Sequence, residues 1–298
     1  MDIKNLTGLE KPLEKLIETV SEGIGVVGNH LFGFDVAKIK RIGKAEAEAE
    51  KIKIVANAEA REKVVKVLGR AEKRVALEQY NKQINLENIL VKTRDDLERK
   101  TVSEESVERD WTMKFLDIAQ NVSREELQDV LAKILSGEVQ KPGSFSYQTL
   151  EVVKYLSQKD LQKFLKFVAI STNIGVIKLR SGGKDSLEKY GLKFDDYLDL
   201  SSIGLFNQSS MISYAIDLPP STPFQLDIGN DAFLITHTDK QNAKKFDFGL
   251  HVFSNVGREV RALLLENAKN IKSDEFKKDF IEESSRKGFN VEHLQTKE

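Results

Sequence analysis

The sequence predicts an α+β fold: a long N-terminal helix, a helical middle unit, and a small C-terminal α+β module with antiparallel strands. Three observations carry that reading. Residues 35–100 hold no proline, only two glycines, and small apolar residues recurring at helical spacing. Residues 106–172 read as consecutive amphipathic helices. From Asn173 onward, short runs alternating with period two are separated by glycine and proline, the pattern of antiparallel strands. These shifts divide the chain into residues 1–34, 35–105, 106–172 and 173–298.

Composition narrows the function classes. The 298 residues are 40% hydrophobic and include 16 Phe, enough for a substantial core. The 46 basic and 47 acidic side chains leave a net charge of −1, which argues against wholesale electrostatic binding to nucleic acid. Cysteine is absent, which excludes disulfides, thiolate metal sites and a cysteine nucleophile. Residues 1–15 are too polar for a signal peptide, and no apolar run approaches the roughly 20 residues of a spanning helix. The expected location is the cytoplasm, with peripheral contact at the inner membrane as the alternative.

In residues 1–34, Pro12 suits a first helical turn, and Leu13, Leu16, Ile17 and Val20 follow at helical spacing. Residues 23–34, GIGVVGNHLFGF, then carry no charge and four glycines. They are expected either to link this helix to the next or to lie against a bilayer through Ile24, Val26, Val27, Leu31 and Phe32. The long helix follows. Its stripe runs through Ile39, Ile42, Ala45, Ala49, Ile52, Ala56, Ala60 and Val64, then Val67, Ala71 and Val75, with a mean step of about 3.5 residues. A stripe this thin and rich in alanine calls for a neighbouring helix at close range, so it is the expected assembly seam of a homo-oligomer. Basic residues modestly outnumber acidic ones here, which a solvated helix face accounts for.

In the middle unit, Trp111, Phe115 and Ile118 mark one helix. Ser123 and Glu126 are spaced as a capping box opening the next, and Gly137 is expected to close it. Pro142 and Gly143 force a turn, Ser144 or Ser146 caps the following helix, and Phe145 enters the core. Ser157 and Asp160 are expected to divide residues 146–170 into two helices. In the C-terminal module, GVIKLR, MISYAIDL, FQLDI, AFLITHT, FDFGLHVFS and GFNVEHLQ read as strands, and residues 254–269 and 273–287 as helices.

No residue set here demands a reaction. The chain shows no HExxH, GxSxG or Walker pattern, and no catalytic residue, metal ligand set or cofactor is assigned. His237 and His251 are placed on neighbouring strands, where ordinary sheet residues account for them better than a metal does. Ser181, Gly182, Gly183, Lys184, Asp185 and Ser186 form a strand-to-helix loop that resembles the SGGxDS loop of PP-loop ATP pyrophosphatases. That resemblance implies backbone N–H groups around a pyrophosphate. Against it, the following residues read as antiparallel strands rather than parallel βα units, and a polar glycine turn is the alternative.

The C-terminal module resembles winged helices. Leu200, Gly204, Leu205 and Phe206 match the close of the helix before their β-wing, and Phe253, Ser254, Gly257, Arg258, Glu259 and Val260 match the run that follows their last strand. The helix that would enter a major groove, KFDDYLDLSS, carries three aspartates, which repel phosphate. A protein-contact module is therefore expected in place of a DNA reader. The middle of the chain resembles a bacterial domain-of-unknown-function family (number 2806). The residues that carry this are Gln83 through Ile89, Trp111, Phe115, Ala119, Gln120, Ser123, and the stretch from Gly137 and Glu138 through Pro142, Gly143, Ser144, Phe145 and Ser146 to Thr149 and Leu150. They cover about residues 12–170. The tail is more loosely similar to the abortive-infection alpha family, which implies a part in phage defence. The expectation is a non-enzymatic, oligomerising protein with a partner protein at its C-terminal module. A nucleotide-binding enzyme and a nucleic-acid-binding regulator are the alternatives.

Overall fold

The computed structural model describes residues 10–24, 58–179, 187–239 and 241–294. The chain separates into two compact units, Met1–Phe145 and Ser146–Glu298, so the boundary falls inside the stretch 106–172.

The first unit is helical among its described residues. It contains α1 (Glu10–Ile24), α2 (Ala58–Leu97), α3 (Arg109–Ala119) and α4 (Glu125–Gln140). Strong helix formers and the absence of proline let α2 run for 40 residues. It ends where Arg99 adopts a left-handed φ of 64° and Lys100 N donates to Leu97 O. The C-terminal part of α2 packs along α4, and α1 packs on α3. Leu16, Val20, Ile89, Leu97, Trp111, Phe115, Leu131 and Ile134 are buried. The apolar side of α1 at Leu16 and Val20 is therefore core.

Two local expectations are corrected in α4. Its N-cap is Arg124 with no side-chain cap bond, so Ser123 and Glu126 form no capping box. Gly137 lies inside the helix and does not end it. A Cβ there would stand 2.7 Å from the Phe145 ring, so glycine makes room for that ring to fold back on the helix. The turn is then fixed from inside. Buried Glu138 accepts hydrogen bonds from Gly143 N (2.6 Å) and Phe145 N (3.0 Å), and Trp111 Nε1 donates to Phe145 O (2.8 Å). Charge-assisted bonds in a buried site are strong, which explains why the GE…PGSF spacing is so particular.

The second unit opens with α5 (Tyr147–Tyr155) and α6 (Gln158–Val168). Ser146 caps α5 through Thr149 N, and the expected division at Ser157–Asp160 is made by a complete capping box on α6. Then come β1 (Gly175–Lys178), a 3₁₀ turn at Glu188–Tyr190, α7 (Phe194–Ser202), β2 (Phe206–Leu218), β3 (Phe224–Ile228), β4 (Asp231–His237), β5 (Lys244–Phe253), α8 (Asn255–Leu264), α9 (Asp274–Arg286) and β6 (Phe289–Leu294). The strands form two antiparallel three-stranded sheets, ordered β1-β5-β2 and β3-β4-β6.

Helix α6, β1, the 3₁₀ turn, α7, β2 and β5 follow the order of a winged helix with the 3₁₀ turn in place of its second helix, and the strand order β1-β5-β2 is the one that arrangement needs. The β3–β4 hairpin is inserted where the wing loop would be. A Phe cluster fills the core beneath. Phe164 meets Phe206 and Phe253 edge-on at 5.9 and 5.5 Å, and Phe206 lies 5.0 Å from both Tyr197 and Phe253. The second sheet packs Phe233 on Phe280 of α9 (5.4 Å), and its Phe289 meets Phe246 of β5 in the first sheet (4.9 Å).

Candidate functional site

The residues that carry the winged-helix likeness meet in space. Ser254 caps α8 by accepting from Gly257 N (2.9 Å). Its hydroxyl donates to Gly204 O (2.5 Å), and its backbone N–H donates to Leu205 O (3.1 Å). A Cβ on Gly257 would lie well inside contact distance of Leu205 O, so the start of α8 closes directly on the α7–β2 turn. Glu259 accepts from Ser146 N (2.8 Å) and Ser146 Oγ (3.2 Å), tying α8 to the start of α5. This clasp is structural. It holds α7 in the place that a winged helix gives to its groove-reading helix.

The face that α7 offers is apolar and acidic. Tyr197 and Leu200 point into the core, while Phe194 and Leu198, one turn apart, are 55% and 48% exposed. Asp195 beside them has no ion-pair partner among the described residues. Asp199 and Asp196 take Lys163 at 2.7 and 2.9 Å, and these bonds hold the Lys163 ammonium above the ordinary lysine range. His251 offers no cation either. Burial, with Lys178 nearby, pushes its imidazole down to about 4, so it is neutral at physiological pH. A phosphate backbone finds repulsion on this face, whereas a protein with apolar and cationic side chains finds a match.

The second candidate surface is the N-terminal half of α2. Val64, Leu68 and Ala71 are half-buried, and Val65, Val67, Val75 and Leu77 are 55%, 53%, 46% and 61% exposed. Of the expected seam, Val64 is therefore on α2 with part of its surface open. Ala60 is in the first turn of α2, and nothing is described of its side chain. Ile39, Ile42, Ala45, Ala49, Ile52 and Ala56 lie outside the described residues. Of the expected lipid contacts, Ile24 is the last residue of α1, while Val26, Val27, Leu31 and Phe32 lie outside. The loop residues Ser181, Gly182, Gly183, Lys184, Asp185 and Ser186 also lie outside.

The placing of His237 and His251 on neighbouring strands is corrected. His237 is on β4 of one sheet and His251 on β5 of the other, and His237 Nε2 donates to Leu218 O at 3.0 Å. Among the described residues no group of carboxylates and histidines is arranged to hold a metal, and no helix is long and apolar enough to cross a membrane.

Sequence reasoning missed Phe194 and Leu198. The segment was read for its aspartates, but the i, i+4 spacing of Phe194 and Leu198, opposite Tyr197 and Leu200, held the signal.

These observations define a class: a two-unit α+β protein whose second unit follows winged-helix order and presents an acidic, apolar helix. The chain belongs to the family described as "Protein of unknown function (DUF2806)", whose model matches residues 69–279. The match begins later than the expected residue 12 and runs past residue 170 through most of the strand-rich unit. No curated protein and no solved structure matches the chain.

Proposed function

We propose that the protein is a non-enzymatic assembly protein, in which copies join through the N-terminal half of α2 and α7 docks a partner protein. The observation that carries this is the stripe Val64, Val67, Leu68, Ala71 and Val75, which shares one face of the helix and stays half-buried or exposed while the other half of the helix is well packed. An apolar stripe left open on one face marks an interaction site. A second copy fits it: alanine and valine on the stripe allow close approach, and charges of both signs flank it for pairing between like helices. The uncharged run 23–34 supports contact with the inner-membrane surface as the effector step. The loose likeness of the tail to the abortive-infection alpha family supports anti-phage defence as the setting.

Sedimentation equilibrium of the full chain tests the assembly. A mass above one chain that falls on dilution is expected, and a monomer at all concentrations overturns the reading. Winged-helix order favours a second reading, a nucleic-acid-binding regulator, which the aspartates of α7 oppose. A gel shift with duplex DNA at low salt, where phosphate contacts are strongest, separates the two.

A further inference from the structure

We propose that the cavity between the two sheets of the second unit binds a small organic anion, a carboxylate or phosphate monoester with an apolar body, with Arg261 as its counter-charge. The cavity has a volume of about 590 Å³. That is the size of pockets that enclose small molecules. Tyr214 and Phe248, paired across β2 and β5 with rings 5.7 Å apart, form one wall together with Ile216. Phe224 and Leu226 of β3 form the other.

Arg261, on α8, lines this space and is only 7% exposed. Its Nε donates to Ser171 Oγ (2.8 Å) and its Nη2 to Ser171 O (3.1 Å). Those bonds use two of the five guanidinium donors and bring no negative charge. Among the described residues no carboxylate stands within ion-pair distance of it. Of the acids in the lining, Asp231 is held by Lys277 (2.6 Å) and His293 (2.7 Å). Asp227 attracts Arg261 across the cavity but is exposed, accepts from Gln225 (2.8 Å) and makes no ion pair with it. Burying a charge without a counter-charge in contact is costly, and a site that keeps one has room for an ion that arrives from outside. The fork of remaining N–H groups suits the paired oxygens of a carboxylate or phosphate. The aromatic walls supply the affinity for an apolar body. This site is separate from α7 and α2 and does not depend on the assembly reading.

Calorimetric titration of the full chain with phenylacetate, phenyl phosphate, inorganic phosphate and uncharged benzyl alcohol tests it. Saturable binding of at least one of the two ring-bearing anions, with none of benzyl alcohol, is expected, and the preferred one names the anion class. Ile216→Trp, which fills the cavity and leaves Arg261 with Ser171, is expected to weaken binding at least about tenfold, as is Arg261→Lys. The proposal is overturned if neither ring-bearing anion binds by about 10 mM. It is equally overturned if inorganic phosphate binds as well as phenyl phosphate, or if Ile216→Trp binds like the unaltered chain.

Discussion

The two halves of α2 share one helix and one apolar stripe but differ in what covers them. Ile89, Thr93 and Leu97 are fully buried where α4 runs alongside. On the same face about four to seven turns before Ile89, Val64, Leu68 and Ala71 are half-buried and Val75 is 46% exposed. Helix propensity sets how far the rod extends, because Ala, Glu, Lys and Arg persist to its end. Burial is set by the neighbour. The difference teaches that a uniform periodicity fixes the helix but not its burial: one end is anchored in a core and the same stripe at the other end stays open.

Five variants sharpen or break this comparison. Trp111, the only tryptophan, is buried in the first unit, so its fluorescence during urea unfolding reads the unit that contains α2. Leu97→Ala is expected to cost about 2–5 kcal/mol by leaving a cavity, whereas Val75→Ala should stay within about 0.5 kcal/mol. Equal losses from the two would erase the distinction. Asn85→Ala removes the bond from Nδ2 to Gln120 O (2.9 Å) and is expected to cost about 1 kcal/mol. Gly69→Ala meets nothing within 4 Å and should gain about 0.5–1 kcal/mol from propensity alone. A loss there would mean that something covers the outer half. The smallest effect on folding, about 0.5 kcal/mol or less, belongs to the pair Val75→Glu with Leu77→Glu. Its readout is association: sedimentation should show a lone chain with an unchanged unfolding midpoint, and persistence of the assembly would place the joint elsewhere.

Much of the architecture was legible because it is written locally. The Ser157–Asp160 cap, the PGSF turn with Ser146 as cap, and the strand runs each depend on neighbouring residues. Gly137 was misread because its reason, the Phe145 ring, becomes visible only once the chain has folded back. Ser123 lost its cap because the chain enters α4 one residue later, at Arg124. The separation of the histidines reflects a hairpin inserted between β2 and β5, which adjacency in sequence cannot reveal. Arg261 was illegible for a deeper reason. In REVRALL, Arg258 and Arg261 are chemically identical, and only the tertiary fold makes one exposed and the other 7% exposed.

The pairing of β4 with β6 carries a consequence for biogenesis. During synthesis β3 and β4 leave the ribosome well before their third strand, which follows β5, α8 and α9. Through that interval the outer edge of β4, with Phe233 and Ile235 beside it, stands open to any passing strand. A nascent chain stalled before Phe289 is thus the aggregation-prone form of this protein, and prompt completion of translation is itself a safeguard of its solubility.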